Sequence, residues 1–277
     1  MRKPGRADPV GGKRGMMKAA GALDDAVADA AEEIGRSVRQ AAMLTAGVGA
    51  AHAILFIVAL LLLADAPGPA ATDQEFVDYY SAEGSRRVAL AGLYVMPFAG
   101  IAFVWFIVAL RMWIAGTQRR ENALLSNVQL VSGILYTGLF FVASGASSAI
   151  AAATEFSNAP IDASFARQIN QYGNTLLFVF AMRMAAMFVF TTSSIGRSAR
   201  ILPRWFLYVG YAVGLFLLLS ASFYRVLSLV FPVWLLCLSG IMVTRARRIP
   251  RHERFTVPPS PLIEPPPAPA NRSPGGS

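Results

Sequence analysis

The segment AAMLTAGVGAAHAILFIVALLLLA, residues 41–64, contains 24 residues and no Asp, Glu, Lys or Arg. A helix that crosses a bilayer needs about 20 mostly apolar residues, at 1.5 Å of rise each. Five later stretches are also long and apolar enough, so the predicted spans are 41–64, 88–110, 128–153, 174–195, 205–222 and 226–244. The sequence therefore predicts an all-α polytopic membrane protein, built as a bundle of six transmembrane helices.

The last two predicted spans are separated only by residues 223–225. Residues 205–244 together make a stretch of 40 residues, which is too long for one span and fits two spans joined by a tight external turn. The fifth span also carries Gly210 and Gly214 in a GxxxG pattern. Small residues at this spacing allow two helices to approach closely.

The composition limits the classes of protein to which the chain can belong. It has 277 residues, of which 55% are hydrophobic and 15% are charged, and a mean hydropathy of +0.49. Soluble domains carry about 25% charged residues, so this composition argues against a soluble globule. One Cys rules out an intramolecular disulfide, and two His with one Cys are too few for a Cys/His metal cluster. We therefore predict no metal site and no cofactor.

The distribution of Lys and Arg predicts the orientation in the membrane. With the N-terminus inside, 20 basic residues lie in cytoplasmic segments, four lie in external segments, and Arg183 lies within a span. Basic residues resist translocation, so this asymmetry predicts a multi-pass plasma-membrane protein with both termini cytoplasmic. Because the asymmetry also explains the isoelectric point of about 10.2, we predict no nucleic-acid partner.

The two ends of the chain differ in character from the bundle. Residues 1–40 form a predicted cytoplasmic segment, with 1–15 disordered and then a short amphipathic helix whose apolar stripe is Leu23, Val27, Ala30, Ile34 and Val38. This stripe suits either a surface helix or a partner site. The transmembrane domain covers 41–245. The tail, 246–277, is basic and then Pro-rich, with eight of the 17 prolines in residues 258–277, and is predicted to be disordered.

The predicted partner is the lipid bilayer, while the sequence identifies no protein partner. Five arginines follow the last span, and they have two interpretations. They either bind anionic lipid headgroups, or form the basic flank that commonly follows a final span. These residues are Arg245, Arg247, Arg248, Arg251 and Arg254.

Two helix starts are predicted in the external loops. Thr72 and Glu75 form a capping box, in which each side chain satisfies a free backbone N–H group, so a short helix should run from there to about residue 82. A second helix should begin after Asp162 as its N-cap and continue towards the fourth span. Neither loop is large enough for a catalytic domain.

His52 and Arg183 are the two ionisable side chains inside the predicted spans, and such groups are by default candidates for function. His52 is either a neutral imidazole bonded to a neighbouring helix, or a relay or ligand group. Arg183 is either a structural brace bonded to third-span hydroxyls, or the lining of a cavity for an anionic or polar ligand such as a lipid headgroup. The hydroxyls at suitable depth are those of Tyr136, Thr137, Ser144 and Ser147. The candidate ligand-binding residues are thus Arg183, His52, Tyr136, Ser144 and Ser147.

The sequence gives no candidate catalytic residue. No Asp or Glu lies in a predicted span interior, which argues against a carboxylate acid/base pair. Residues 145–148, GASS, resemble the GxS segment of rhomboid-type intramembrane serine proteases. However, Ser147 and His52 are expected to differ in depth by roughly 12 Å at 1.5 Å per residue, whereas proton transfer needs about 3 Å. We therefore predict that the protein is not an enzyme.

Four short segments resemble a group of actinobacterial integral membrane proteins of uncharacterised activity: PFAGIAF with Trp105, at 97–103, the run 172–195, LPRW at 202–205 and FPVW at 231–234. The resemblance covers about residues 41–245. It implies a six-span plasma-membrane protein from a GC-rich bacterium, and it carries no activity that could be transferred.

Two functions are compatible with these features. The first is a non-enzymatic binding, accessory or sensory membrane component. The alternative is a small-molecule or anion/lipid transporter in which Arg183 lines the site. A carrier needs a polar path that opens to both faces, whereas an accessory protein can have a dry centre.

Overall fold

The computed structural model is all-helical and describes residues 9–68, 70–81, 83–117, 123–157, 161–220 and 225–248. The helices are α1 (Pro9–Leu62), α2 (Asp73–Ser81), α3 (Glu83–Ala89), α4 (Met96–Thr117), α5 (Ala123–Ser157), α6 (Ala163–Thr175), α7 (Met182–Ser198), α8 (Arg204–Leu219), α9 (Arg225–Ser228) and α10 (Val230–Arg248). Two π-helical turns join pairs of them: the first π turn, Leu90–Val95, joins α3 to α4, and the second, Leu176–Ala181, joins α6 to α7.

Five helices in the described part of the chain are long and apolar enough to cross a membrane: Arg39–Leu62, Glu83–Ala115, Ala123–Ser157, Ala163–Ser198 and Val230–Arg247. They match the predicted spans 41–64, 88–110, 128–153, 174–195 and 226–244. The chain is therefore a multi-pass membrane protein of the all-α class. The predicted span 205–222 corresponds to α8, which has only 16 residues and is about 24 Å long.

The last predicted span, 226–244, begins four residues later in the structure, at Val230, and the helix continues to Arg248. The helix breaks at Leu229, between α9 and α10. Pro232 lies three residues beyond this break, in the first turn of α10, where a missing backbone N–H costs nothing.

The chain divides into two compact units, Glu33–Ile249 and a second unit made of Met1–Glu32 and Pro250–Ser277. In the second unit the described helix begins at Pro9, so residues 9–15 are helical rather than disordered as predicted. Proline has no backbone N–H, and it suits the first turn of a helix because an N–H at that position would have no partner within the helix. The predicted Pro-rich tail, with Arg251 and Arg254, lies outside the described residues.

Helices α2, α3 and α6 form a layer at one end of the unit Glu33–Ile249, called here the cap layer. Phe76 and Tyr80 of α2 are buried in it with Val88, Ile150 and Ala166. The structure confirms both predicted helix starts. The backbone N–H of Thr72 donates to Glu75 at 2.6 Å and that of Glu75 to the Thr72 hydroxyl at 3.3 Å, while Asp162 accepts from the backbone of Ser164 and Phe165.

An ion pair joins two helices of the cap layer. Arg167 of α6 donates to Asp73 of α2 at 2.6 Å and to the carbonyl of Ala71 at 2.8 Å. Its guanidinium also lies over the Phe76 ring, 5.3 Å from the centroid. The cap layer is thus held by polar contacts as well as by its apolar cluster.

Helices α7 and α8 pack closely and antiparallel through the predicted GxxxG pattern. A side chain on Gly210 would overlap Ser193, and one on Gly214 would press on the Phe190 ring. These contacts pair residue 210 with 193 and residue 214 with 190. Continued along two antiparallel helices of equal rise per residue, they place Ser220, the C-cap of α8, at about the level of Arg183 and Met184.

Candidate functional site

The middle of the bundle is filled by six packed rings, called here the central cluster: His52, Phe56, Phe103, Tyr136, Phe140 and Phe231. Each of them is fully buried. The His52 ring lies between 4.7 and 6.2 Å from the centroids of the other five. Four helices supply the rings, so the centre of the structure is apolar and closed.

The hydrogen bonds of His52 determine which form of the imidazole is present. Its Nδ1 lies 2.8 Å from the carbonyl oxygen of Ala99, which can only accept, so Nδ1 carries the proton. Its Nε2 lies 3.2 Å from the hydroxyl of Tyr136 and accepts from it. His52 is therefore bonded to two neighbouring helices, as the first of its two interpretations predicted. Neither ring nitrogen is left to activate a serine.

Ser144 completes the hydrogen bonding around Pro97. In the first π turn the N–H of Met96 donates five residues back, to Ala91, and the same pattern would pair residue 97 with Gly92. Proline has no N–H, so the carbonyl of Gly92 has no such donor. The Ser144 hydroxyl donates to that carbonyl instead. Hydroxyl groups and local π turns are how membrane helices accommodate proline.

Arg183 does not bond to the hydroxyls predicted for it. Those of Tyr136, Thr137 and Ser144 are engaged elsewhere. In the described part of the chain, the one hydrogen bond of Arg183 goes from Nη1 to the carbonyl of Val179, on its own helical run, at 3.5 Å. The interpretation of Arg183 as a brace bonded to the hydroxyls of α5 is therefore wrong.

The surroundings of Arg183 explain its partial exposure. It lies on a face of the helix with Phe180, which is 51% exposed, and its own side chain is half-buried. Because α8 ends at the level of Arg183, α8 does not cover the residues of the same helical run that lie nearer the cap layer. The bond to Val179, one turn towards the cap layer, shows that the guanidinium reaches in that direction, as a snorkelling arginine does.

A crevice lies beneath the cap layer, at the side of the central cluster. Thirteen described residues line it: Phe56, Ala59, Leu60, Leu63, Ala66, Tyr80, Val88, Met96, Ser147, Asn170, Asn174, Leu177 and Phe178. Its empty space, with the open mouth included, is about 520 Å³, and the centre of a water-sized group can reach about 30 Å³ of it. None of these lining residues is charged.

Besides Tyr80 of α2, the polar residues of the crevice come from α5 and α6. Asn174 donates to Asn170 at 3.1 Å, a pairing that leaves one amide oxygen and one NH₂ group of the two side chains unused. No hydrogen bond from the described residues engages the Ser147 hydroxyl. A side chain on Gly173 would overlap Ser147, so this glycine allows α6 to bring the asparagines close to Ser147.

The second π turn supplies the apolar wall opposite α1. It contributes Leu177 and Phe178 to the lining, and Met182 donates back to Leu177 across five residues. A π turn inserts one extra residue into a helix, and such turns are frequent at functional sites. The second π turn thus lines the crevice, and the first π turn ends next to Met96, which also lines it.

The five predicted ligand residues therefore occupy four places. His52 and Tyr136 meet in the central cluster, Ser144 bonds to the first π turn, Ser147 lines the crevice, and Arg183 lies on a half-exposed helix face. The sequence analysis missed Asn170 and Asn174. Their spacing of four residues, just before the apolar run that begins at Leu176, was a usable signal.

Comparisons with known proteins identify no relative: the sequence matches no protein-family model and no curated protein, and no solved structure is significantly similar. Within the described residues, no three His, Cys, Asp or Glu side chains are grouped so that they could hold a metal ion.

The arginines that follow the last span are partly described. Arg245 donates to the carbonyl of Arg200 at 3.4 Å, at the end of α7, where Arg200 has a positive φ of 56°. Arg247 is exposed. Arg245 thus ties the end of α10 to the α7–α8 connection.

Proposed function

We propose that the protein is a non-enzymatic binding or accessory component of the plasma membrane, with six spans and both termini in the cytoplasm. In this arrangement the cap layer is external. The asymmetry of 20 basic residues against four supports the orientation, and the arginines after the last span would meet anionic headgroups of the inner leaflet.

In this proposal α8 crosses the membrane in addition to the five longer helices. It is an apolar helix of 16 residues, and it packs antiparallel on α7 along most of its length. The membrane-crossing helices α7 and α10 flank it in the chain. Counting α8 as a span returns the C-terminal tail to the side of the N-terminus, which is the side that the basic residues favour.

The closed central cluster is the observation that favours binding over transport. A carrier needs a polar path at the middle of the membrane, commonly with interrupted helices at matching positions of two halves. Here six buried rings fill the middle, and the two prolines, Pro97 and Pro232, lie at unmatched places. A transporter of anions remains the second candidate because Arg183 offers a cation with one long hydrogen bond.

Cysteine accessibility tests the proposal directly. In a Cys237→Ser background, single cysteines at Ala53 and Ala99, both fully buried beside His52, are treated with a charged, membrane-impermeant thiol reagent from each side of intact vesicles. We expect no labelling above background. Labelling of Ala99→Cys from both sides would show a water-filled path and would replace the accessory function with transport.

The same set of variants tests the topology. Cysteines at Asp78 and Ala163 should react only from outside, and one at Ser198 only from inside. A cysteine at Ser260, beyond the described residues, should also react only from inside. If Ser260→Cys reacted from outside, α8 would not be a span.

A further inference from the structure

We propose that the crevice beneath the cap layer binds an uncharged amphiphile, with a hydroxyl or amide head at Ser147, Asn170 and Asn174 and an apolar body against the surrounding walls. This inference deepens the proposed binding function and rests on it. It assigns a site and a class of ligand.

The lack of charge in the lining indicates an uncharged head group. A charged group placed in an apolar crevice without a counter-charge loses its hydration and gains little in return. Arg167, the nearest cation of α6 to the asparagines in sequence, is already paired with Asp73 and with the Ala71 carbonyl. An anion or a cation therefore has no partner here, whereas a neutral group has no charge to desolvate.

The unused polar atoms indicate what the head group must offer. The Ser147 hydroxyl can donate and accept, and the two asparagines leave one oxygen that accepts and one NH₂ that donates. This division holds whichever way the two amides are turned. A hydroxyl or an amide both donates and accepts, so it can satisfy the set, whereas an ether or a ketone cannot.

The size and the walls indicate an apolar body attached to a small head. Nine of the thirteen lining residues are apolar, as the walls of ligand pockets usually are. The volume that the centre of a water-sized group can occupy is only about 30 Å³. The enclosed part of the crevice therefore has room for only a few heavy atoms. The small head and the first carbons of a slender chain fit inside, and the rest of the chain must extend through the open mouth.

Photo-crosslinking with decanol that carries a diazirine tests this proposal on the full-length protein in lipid nanodiscs. We expect labels at crevice residues such as Leu63, Ala66 and Phe178. Unlabelled decanol should compete at least about tenfold better than decanesulfonate or decyltrimethylammonium, whose permanent charges the crevice cannot pair. Equal competition by the three probes would overturn the assignment of an uncharged head.

Two kinds of variant separate binding in the crevice from general partitioning into the membrane. Ala66→Phe fills the space at the edge of the crevice, and Ser147→Ala with Asn174→Leu removes polar groups. Each should lower crevice labelling about fivefold or more: Ala66→Phe because its ring takes up the space, and the double variant because one or two hydrogen bonds are lost. The control is Thr154→Val on the same helix α5, whose hydroxyl bonds to its own backbone at Ile150, and it should change nothing.

Labelling spread evenly over the lipid-facing helices and unaffected by Ala66→Phe would refute the site. Because Ala66→Phe leaves every polar group in place, it keeps the test valid if the double variant fails to fold. Failure of this inference can also be distinguished from failure of the proposed function: reactive cysteines at Ala53 and Ala99 would disprove the closed centre, while a failure of decanol to bind would disprove only the crevice.

Discussion

The central cluster and the crevice share Phe56 in their linings and yet use polar side chains in opposite ways. In the central cluster both nitrogens of His52 and the hydroxyl of Tyr136 are engaged with each other or with a backbone carbonyl. In the crevice, Ser147 and the two asparagines keep unused donors and acceptors. A polar residue at membrane depth is costly when it is unpaired. The comparison therefore supports a structural role for the buried histidine, and it supports the recognition role proposed for Ser147 and the two asparagines.

Removing the central imidazole should have the largest effect. His52→Ala leaves a cavity among five rings and should lower the free energy of unfolding by about 3 kcal/mol, as large-to-small core substitutions do. Unfolding in bicelles, followed by tryptophan fluorescence, measures this change. Ser147→Ala in the crevice is the matched control and should cost less than about 0.5 kcal/mol. Equal costs would remove the distinction between the two regions.

The bond between Ser144 and the carbonyl of Gly92 should give the next largest effect. Ser144→Ala leaves that carbonyl unpaired, at about 1 to 2 kcal/mol. In a Pro97→Ala background the new N–H at residue 97 can reach Gly92, so the same substitution should cost about 1 kcal/mol less.

Thr137→Val is the control for this cycle, because the Thr137 hydroxyl bonds only to Gly133 on its own helix. Its cost should be the same in both backgrounds. A Ser144→Ala cost that does not depend on Pro97 would contradict the link between the proline and the serine.

A smaller effect is expected at the start of α6, where Asp162 accepts from the Ser164 hydroxyl and from the backbone N–H of Phe165 and Ser164. These hydrogen bonds hold the pKa of the Asp162 carboxyl below its usual range. A lowered pKa means that the carboxylate stabilises the cap above the unfolded pKa of about 3.9, and that this contribution is lost as the pH falls through the folded pKa.

NMR shifts of Ser164 and Phe165 should therefore stay constant from about pH 7 to 5 and lose helical character below about pH 4. Asp162→Asn retains a capping oxygen without a titrating group and should remove this pH dependence. The rings of the central cluster should not respond in either protein. A change in those rings over the same pH range would show that the cap layer and the centre unfold together.

The smallest effect is expected at Arg183, which belongs to neither region. Arg183→Met removes one hydrogen bond of 3.5 Å and a partly desolvated charge, so the free energy of unfolding should change by less than about 1 kcal/mol. Melting curves with and without a total lipid extract measure this change. A loss above about 2 kcal/mol would show that Arg183 braces the bundle after all.

Local chemistry explains which parts of the fold could be predicted. The helix starts at Thr72 and Asp162 depend on residues two or three positions apart, and both are confirmed. The span positions follow from runs of apolar residues, which need no knowledge of neighbours. Residues 205–244 are the exception, because the end of α8 at Leu219 and the break at Leu229 both lie within one mostly apolar stretch.

The candidate site was harder to predict because depth alone does not say which way a side chain faces. Tyr136, Ser144 and Ser147 lie on one helix, yet they face the central cluster, the first π turn and the crevice. A span that is apolar on all sides has no hydrophobic stripe from which its rotation could be read. The partner of His52 is 47 residues away at Ala99 and 84 residues away at Tyr136, and no local pattern encodes such a pairing.

The short length of α8 has a consequence for the surrounding lipid. A helix of about 24 Å is about 6 Å shorter than the hydrocarbon core of an average bilayer. For α8 to span, the membrane beside it must become thinner, so that phospholipid headgroups descend towards Ser220 and Arg183. Such hydrophobic mismatch costs fractions of a kcal/mol per ångström and sorts proteins between membranes of different thickness. The bilayer around this protein would then be asymmetric, thin along α8 and of ordinary thickness along the longer helices.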